Sequence, residues 1–279
     1  MVVRACIWRI LLGQNLATSW LMTLIHLIIH TKTKKNMVEN IFNNDEKIGI
    51  RIAGFDNKQI ANLLAKVNLF APRISIQGDS YSTFEDFIPS NYPSWYPTTG
   101  PDAITKVEET WWWQTIQALG GVLEVNDSYS GSELCKMRGV GVSFVDRKDK
   151  IGNPDVLFLF GGTNDEWRVR DYPAEGYQTY EEMLGEYKYA GWSEEDLKHF
   201  RPALAYLLDY YQKQHPKMKI IFILNDMLQH IVESVHTICR KYNVDVIHLY
   251  AITKKSDHPT ASGAKNINRE IIEFIGGMA

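Results

Sequence analysis

The chain has 279 residues, 45% of them hydrophobic, 23% charged and 12% aromatic. That balance excludes a collagen, a low-complexity chain and a wholly disordered protein, and the length suits one large domain or two small ones. Thirty basic residues against thirty-three acidic leave a net charge of −3, which offers no long-range attraction for nucleic acid.

Residues 1–36 open the chain. Positions 10 to 31 contain no Asp, Glu, Lys or Arg, with Arg4 and Arg9 before them and Lys32, Lys34 and Lys35 after. The length suits a signal anchor or an uncleaved export segment. Gln14, Asn15, Thr18, Ser19, Thr23, His26 and His30 dilute the apolarity, no small-residue cleavage site is clear, and basic residues at both ends leave orientation unset. A start at Met37 is the other reading. The protein is then cytoplasmic, whereas it is membrane-anchored or exported if residues 1–36 are kept. Membrane contact would come only through residues 10–31. His26 and His30 are spaced to share a helix face, but no third ligand stands near them, so a metal site is not assigned. Residues 37–70 are polar and mixed, with a short helical stretch around Ile60, Leu63 and Leu64, and read as an adapter. Cys6, Cys135 and Cys239 are odd in number and far apart. They form neither a disulfide framework nor a CxxC clamp.

The main domain is expected over residues 71–279. Short apolar runs follow one another at Ile74–Ile76, Val122–Val125, Val156–Phe160, Ile220–Leu224 and Val244–Tyr250. Such runs fit strands buried on both faces of a parallel sheet. Helical stripes lie between the later ones: Leu204, Leu207, Leu208 and Tyr211; Leu228, Ile231, Val232, Val235, Ile238 and Cys239; then Ala264, Ile267, Ile271 and Phe274 after a Thr260 cap. The alternation predicts an α/β layered fold. Glu166 to about Trp192, rich in Tyr, Trp and Glu, breaks the rhythm and reads as a long loop or lid. Trp111, Trp112 and Trp113 cannot all face one way on a helix, so one of them should be partly exposed.

Ligands of open parallel sheets bind beyond the carboxyl ends of the strands. The segments there are Gly78-Asp79-Ser80, Asn126 to Ser132, Gly161 to Asp165, Asn225-Asp226 and Ser256 to Pro259. A serine, two glycine-bearing turns, an asparagine and a histidine thus fall on one edge. A serine hydroxyl needs a base to become a nucleophile, a neutral imidazole can be that base, and the oxyanion that forms needs preplaced donors. Each piece alone is ordinary; together they are the parts of an acyl-transfer site. Of the aromatics read as loop residues (Trp95, Tyr96, Trp167 and Trp192), Trp167 is best placed to line a sugar ring, because it stands three residues after Asn164. Gly-x-Ser-x-Gly, Walker, Gly-x-Gly-x-x-Gly and His-Glu-x-x-His motifs are absent.

Ser75 to Ser82, Asn126 to Ser132, Gly162-Thr163-Asn164-Asp165 and, in part, His258-Pro259 resemble the blocks of the SGNH hydrolases, also called the GDSL esterase/lipase family. Ile88-Pro89, Trp95-Tyr96-Pro97 and Trp111-Trp112 look like a bacterial branch of it. The resemblance covers about residues 71 to 275. It implies a three-layer α/β/α sandwich with a flavodoxin-like parallel sheet. It also implies Ser80 as nucleophile and His258 as base. The N–H groups of Ser80 and Gly131 and the side chain of Asn164 would form the oxyanion hole. Asp79 and Asp165 would brace their turns. No metal or organic cofactor is called for. The family's triad Asp usually stands three residues before the His; here that position is Lys255. Asp257 adjoins His258 and is a poor orienter in extended backbone. Either a backbone carbonyl near Lys255 holds the imidazole, or the site is weakened or dead.

The expected function is a serine esterase removing a short acyl group, such as acetyl, from a carbohydrate through an acyl-enzyme. The alternative is a catalytically weak or inactive carbohydrate-binding protein on the same scaffold. A phosphate or flavin binder using Gly161 to Asn164 ranks third.

Overall fold

Five strands run parallel in the order β2-β1-β3-β4-β5, with β1 at Arg73–Gly78, β2 at Val122–Ser128, β3 at Val156–Phe160, β4 at Lys219–Leu224 and β5 at Asp245–His248. This is the flavodoxin-like order. The computed structural model describes residues 71–139, 141–171, 173 and 177–277. The apolar segment 10–31, the His26/His30 pair, Cys6 and the 37–70 adapter lie outside the described residues. Arg73–Gly277 cluster as one unit.

The continuous apolar runs became strands because both faces are covered. Every side chain of β3 is buried. Alternate residues serve opposite layers. Leu157, Leu159, Ile220, Phe222 and Leu224 join the core cluster with Leu204, Leu207, Leu208 and Tyr211 of α4 (Phe200–Gln214) and with Val235, Ile238 and Cys239 of α5 (Val232–Lys241). On the other face, Trp111 of α1 (Trp111–Leu119) meets Phe158 and Phe160 edge-on, and α1 packs on α6 (Ala261–Gly277). Trp111 and Trp112 are buried and Trp113 is half-buried, as their spacing required. Thr260 caps α6 by accepting from the Gly263 N–H at 3.2 Å. Cys135 and Cys239 are buried free thiols.

Two expectations need correction. The segment from Glu166 is not one long loop: α2 spans Thr163–Asp171 and α3 spans Tyr180–Leu184. Trp167 therefore stands on a helix. Only Val169 of α2 is a buried apolar residue, so no hydrophobic stripe announced it; buried carboxylates hold it instead. Glu166 accepts from the N–H groups of Gln229, His230 and Ile231 at 2.9 to 3.3 Å. That contact also explains the second correction. The stripe from Leu228 to Cys239 does not make three helical turns, because α5 begins only at Val232. The preceding N–H groups bond to Glu166, whose charge suits the positive end of the helix. Among the described residues, no helix is long and apolar enough to cross a membrane.

Candidate active site

β1 sits between β2 and β3, so the chain leaves β1 toward one side and returns on the other. The crevice at such a reversal lies at the strand carboxyl ends. Ser80, Gly131 and Asn164 follow β1, β2 and β3 there.

Gly78 ends β1 where a Cβ would come within 2.8 Å of the Ser82 and Ser128 hydroxyl oxygens, so only glycine fits. Asp79 is fully buried and accepts from the Tyr81 N–H at 3.0 Å, which turns the chain into the short 3₁₀ helix Ser80–Ser82. Its other carboxyl oxygen has no partner in the structure, and burial pushes its pKa up to about 7. Trp111 supports the same turn from α1, its indole N–H donating to the Tyr81 carbonyl at 3.1 Å.

His258 arrives from a hairpin of two two-residue strands, β6 (Lys254–Lys255) and β7 (His258–Pro259). The turn residues Ser256 and Asp257 have φ of +48° and +61°. Both left-handed positions are filled without glycine, and such strain gathers at functional sites. The turn aims the Ser256 carbonyl at His258 Nδ1, 2.8 Å away, while Nε2 lies 2.8 Å from Ser80 Oγ. Ser80 and His258, 178 residues apart, are thus brought together. The Asp257 carboxylate makes no hydrogen bond to the ring, whose nitrogens are taken by Ser256 and Ser80, and the residue's φ of +61° replaces the extended backbone expected there. The Asp257 backbone carbonyl accepts from the Tyr81 hydroxyl, which in turn accepts from Asn225 Nδ2 at 3.1 Å. Asn225 is tied onward to Lys254 at 3.0 Å.

Gly131 has φ of +78°, a left-handed turn that glycine adopts freely. Asn164 Nδ2 donates to the Ser132 carbonyl at 2.9 Å. An amide nitrogen carries two hydrogens, so that bond leaves one for a ligand. The backbone N–H groups of Ser80 and Gly131 enter no hydrogen bond among the described residues. Asp165 braces the turn by accepting from the N–H groups of Leu134 and Cys135 at 2.8 and 3.1 Å, and burial pushes its pKa up to about 6. Trp167 lies one turn after Asn164 on α2. Its ring carries the Arg170 guanidinium at 5.1 Å and makes no ring contact or hydrogen bond with Ser80 or His258.

Three contributors were not found from sequence. Arg147 is 1% exposed, pairs with Asp127 at 2.8 Å and donates to Ser132 Oγ and the Gly78 carbonyl at 2.9 and 3.3 Å. It knits the ends of β1 and β2 beneath the site. A lone arginine in a polar stretch gives no signal of this. Glu133, 2% exposed, pairs with Arg138 and Arg168 at 2.7 and 3.0 Å. Trp95 was placed in a loop, where it is, but it lies flat on His258 with ring centroids 3.6 Å apart and planes 8° apart. Among the described residues, no group of His, Cys, Asp or Glu is arranged to hold a metal ion.

A hydroxyl touching an imidazole, that imidazole fixed at its second nitrogen, and three donors on adjacent strand ends can together support acyl transfer. Known proteins agree. The family model described as GDSL-like Lipase/Acylhydrolase matches residues 72–275. A GDSL-like lipase structure from Bacteroides ovatus is 41% identical, covers 73% of this chain and 97% of its own, and superposes with a TM-score of 0.66. One from Bacteroides uniformis is 36% identical over 73% and 95%, also with a TM-score of 0.66. A Lactobacillus plantarum protein at 19% identity, covering 74% of this chain and 97% of its own with a TM-score of 0.50, shares the fold. No curated protein matches. The chain belongs to the GDSL-like lipase/acylhydrolase family and is a hydrolase acting on ester bonds.

Proposed function

We propose that the protein is a serine esterase working through a Ser80–His258 dyad, and that it removes a short acyl group, such as acetyl, from a carbohydrate. The observation that carries the reading is the pair of 2.8 Å contacts on the two nitrogens of His258. With Nδ1–H donated to the Ser256 carbonyl, Nε2 is left as the acceptor for the Ser80 hydroxyl proton. The aromatic faces of Trp95, which is 38% exposed, and of half-buried Trp167 support a sugar ring as the alcohol. The two contacts of His258 favour the hydrolase over an inactive binder.

The steps balance without outside reagents. Ser80 Oγ bonds to the ester carbonyl carbon as its proton passes to Nε2. The carbonyl oxygen becomes an oxyanion, accepting from the N–H groups of Ser80 and Gly131 and from Asn164 Nδ2. Collapse breaks the bond to the alcohol oxygen, which takes the proton from Nε2. Water then repeats the sequence on the acyl-enzyme, losing a proton to Nε2 and releasing the acid and free Ser80.

A fluorophosphonate probe should label the wild type and not Ser80→Ala, and acetylated sugars should be cleaved faster than long-chain p-nitrophenyl esters. No labelling, with p-nitrophenyl acetate left intact, would favour the binder. A preference for long chains would overturn the substrate class alone.

The base must be neutral to act. Burial holds the His258 pKa below the ordinary 6.5, opposed by the Ser256 carbonyl and the charge of Asp257. Activity is therefore present above this lowered value and lost as pH falls through it. In a profile of kcat/KM, which reports the free enzyme, the acid limb should have its midpoint below pH 6.5. A midpoint above that value contradicts the burial described.

A further inference from the structure

No carboxylate meets Nδ1 of His258. Aromatic residues surround the ring instead. Trp95 covers one face at 3.6 Å, and Tyr81 meets the imidazole edge-on at 5.2 Å. The Tyr81 hydroxyl holds the Asp257 carbonyl, and the Tyr96 hydroxyl donates to the Pro259 carbonyl at 2.6 Å. The backbone is thus pinned on both sides of His258. The Trp95 segment is also tied to the turn of Ser80: its N–H donates to Thr83 Oγ1 at 2.8 Å, and that hydroxyl donates to the Ser80 carbonyl at 3.1 Å. One short tether therefore links the indole, the imidazole it covers and the serine that the imidazole touches.

An indole face carries negative quadrupole density and attracts a cation held above it. When the Ser80 O–H bond breaks and the Nε2–H bond forms, His258 becomes such a cation. We propose that Trp95 is a positioning residue for His258, fixing the ring plane and stabilising the imidazolium, the work a triad carboxylate does elsewhere. The inference rests on Ser80 and His258 being the reacting pair. The other groups that act on the ring are Asp257 on its own turn, and Ser80 and Tyr81 after β1. Asp257 acts on the imidazole electrostatically, and Arg170 of α2 draws on that same carboxylate.

The test compares Trp95→Phe and Trp95→Leu, using p-nitrophenyl acetate for kinetics and NMR titration of the His258 ring in the Ser80→Ala background. Trp95 is partly exposed, so both variants should fold; circular dichroism checks this. Expected kcat falls by about 3-fold for Phe and by about 10- to 30-fold for Leu, with KM within about twofold, following the strength of the aromatic face. The His258 titration should move to lower pH from Trp to Phe to Leu, because the charged form loses its support. Wild-type kcat in Trp95→Leu, an upward-moving titration, or a change in KM alone would each overturn the proposal. Turnover in Ser80→Ala within about tenfold of the wild type would instead overturn the dyad, a different and visible failure.

Discussion

Ser80→Ala, His258→Ala and the double variant are expected to lose the same factor in kcat, about 10⁴- to 10⁶-fold, rather than the product of two losses. In the proposed mechanism the hydroxyl and the imidazole act as one unit, since the proton that leaves Oγ is the one Nε2 receives across 2.8 Å. Once either is missing, the other has nothing left to do. Kinetics on p-nitrophenyl acetate in all three variants measure this. Residual activity should remain above the uncatalysed rate, because the proposed oxyanion donors at Gly131 and Asn164 survive in each. Two losses that multiply would mean that the residues serve separate steps, and the dyad would have to be abandoned.

Asn164→Ala should lower kcat by about 10²- to 10³-fold, the usual cost of one oxyanion donor, with KM nearly unchanged. The substitution also frees the Ser132 carbonyl from its 2.9 Å bond. The turn should nevertheless hold, since Arg147 still grips Ser132 Oγ and Asp165 still accepts from Leu134 and Cys135. Asn164→Asp sharpens the reading. A carboxylate there has the same size but repels the developing oxyanion, so its loss should exceed that of alanine at neutral pH. If Asn164→Asp outperforms alanine, a hydrogen-bond donor at position 164 is not what the rate requires, and the oxyanion role fails. Thermal unfolding of each variant separates a site effect from a folding effect.

The sheet was legible because strands buried on both faces must be apolar at nearly every position, and VLFLF at Val156–Phe160 can be little else. The strand-end segments were legible because the fold places them on one edge whatever the loops do. The α2 helix was hidden because its buried face is carboxylate rather than aliphatic: Asp165 and Glu166 are satisfied by backbone N–H groups of distant segments. Periodicity cannot register contacts of that sort. Lys255 correctly warned that the acid was missing, and the expected carbonyl near it is that of Ser256. What no spacing could reveal was the left-handed turn that aims this carbonyl, since Ser is not a residue such a turn usually selects and no glycine marks it. Trp95 was likewise beyond reach, because its contact joins a loop to the β6–β7 hairpin 163 residues further along the sequence.

The acceptor on Nδ1 belongs to the polypeptide itself and not to any side chain. No codon change can delete it as a change from aspartate deletes a triad acid. Drift in the gene can disable this orienter only by reshaping the bend at positions 256 and 257, or by loosening the tyrosine hydroxyl that clasps it. Variation in relatives should therefore be tolerated in what these two residues are, and policed in the handedness they adopt.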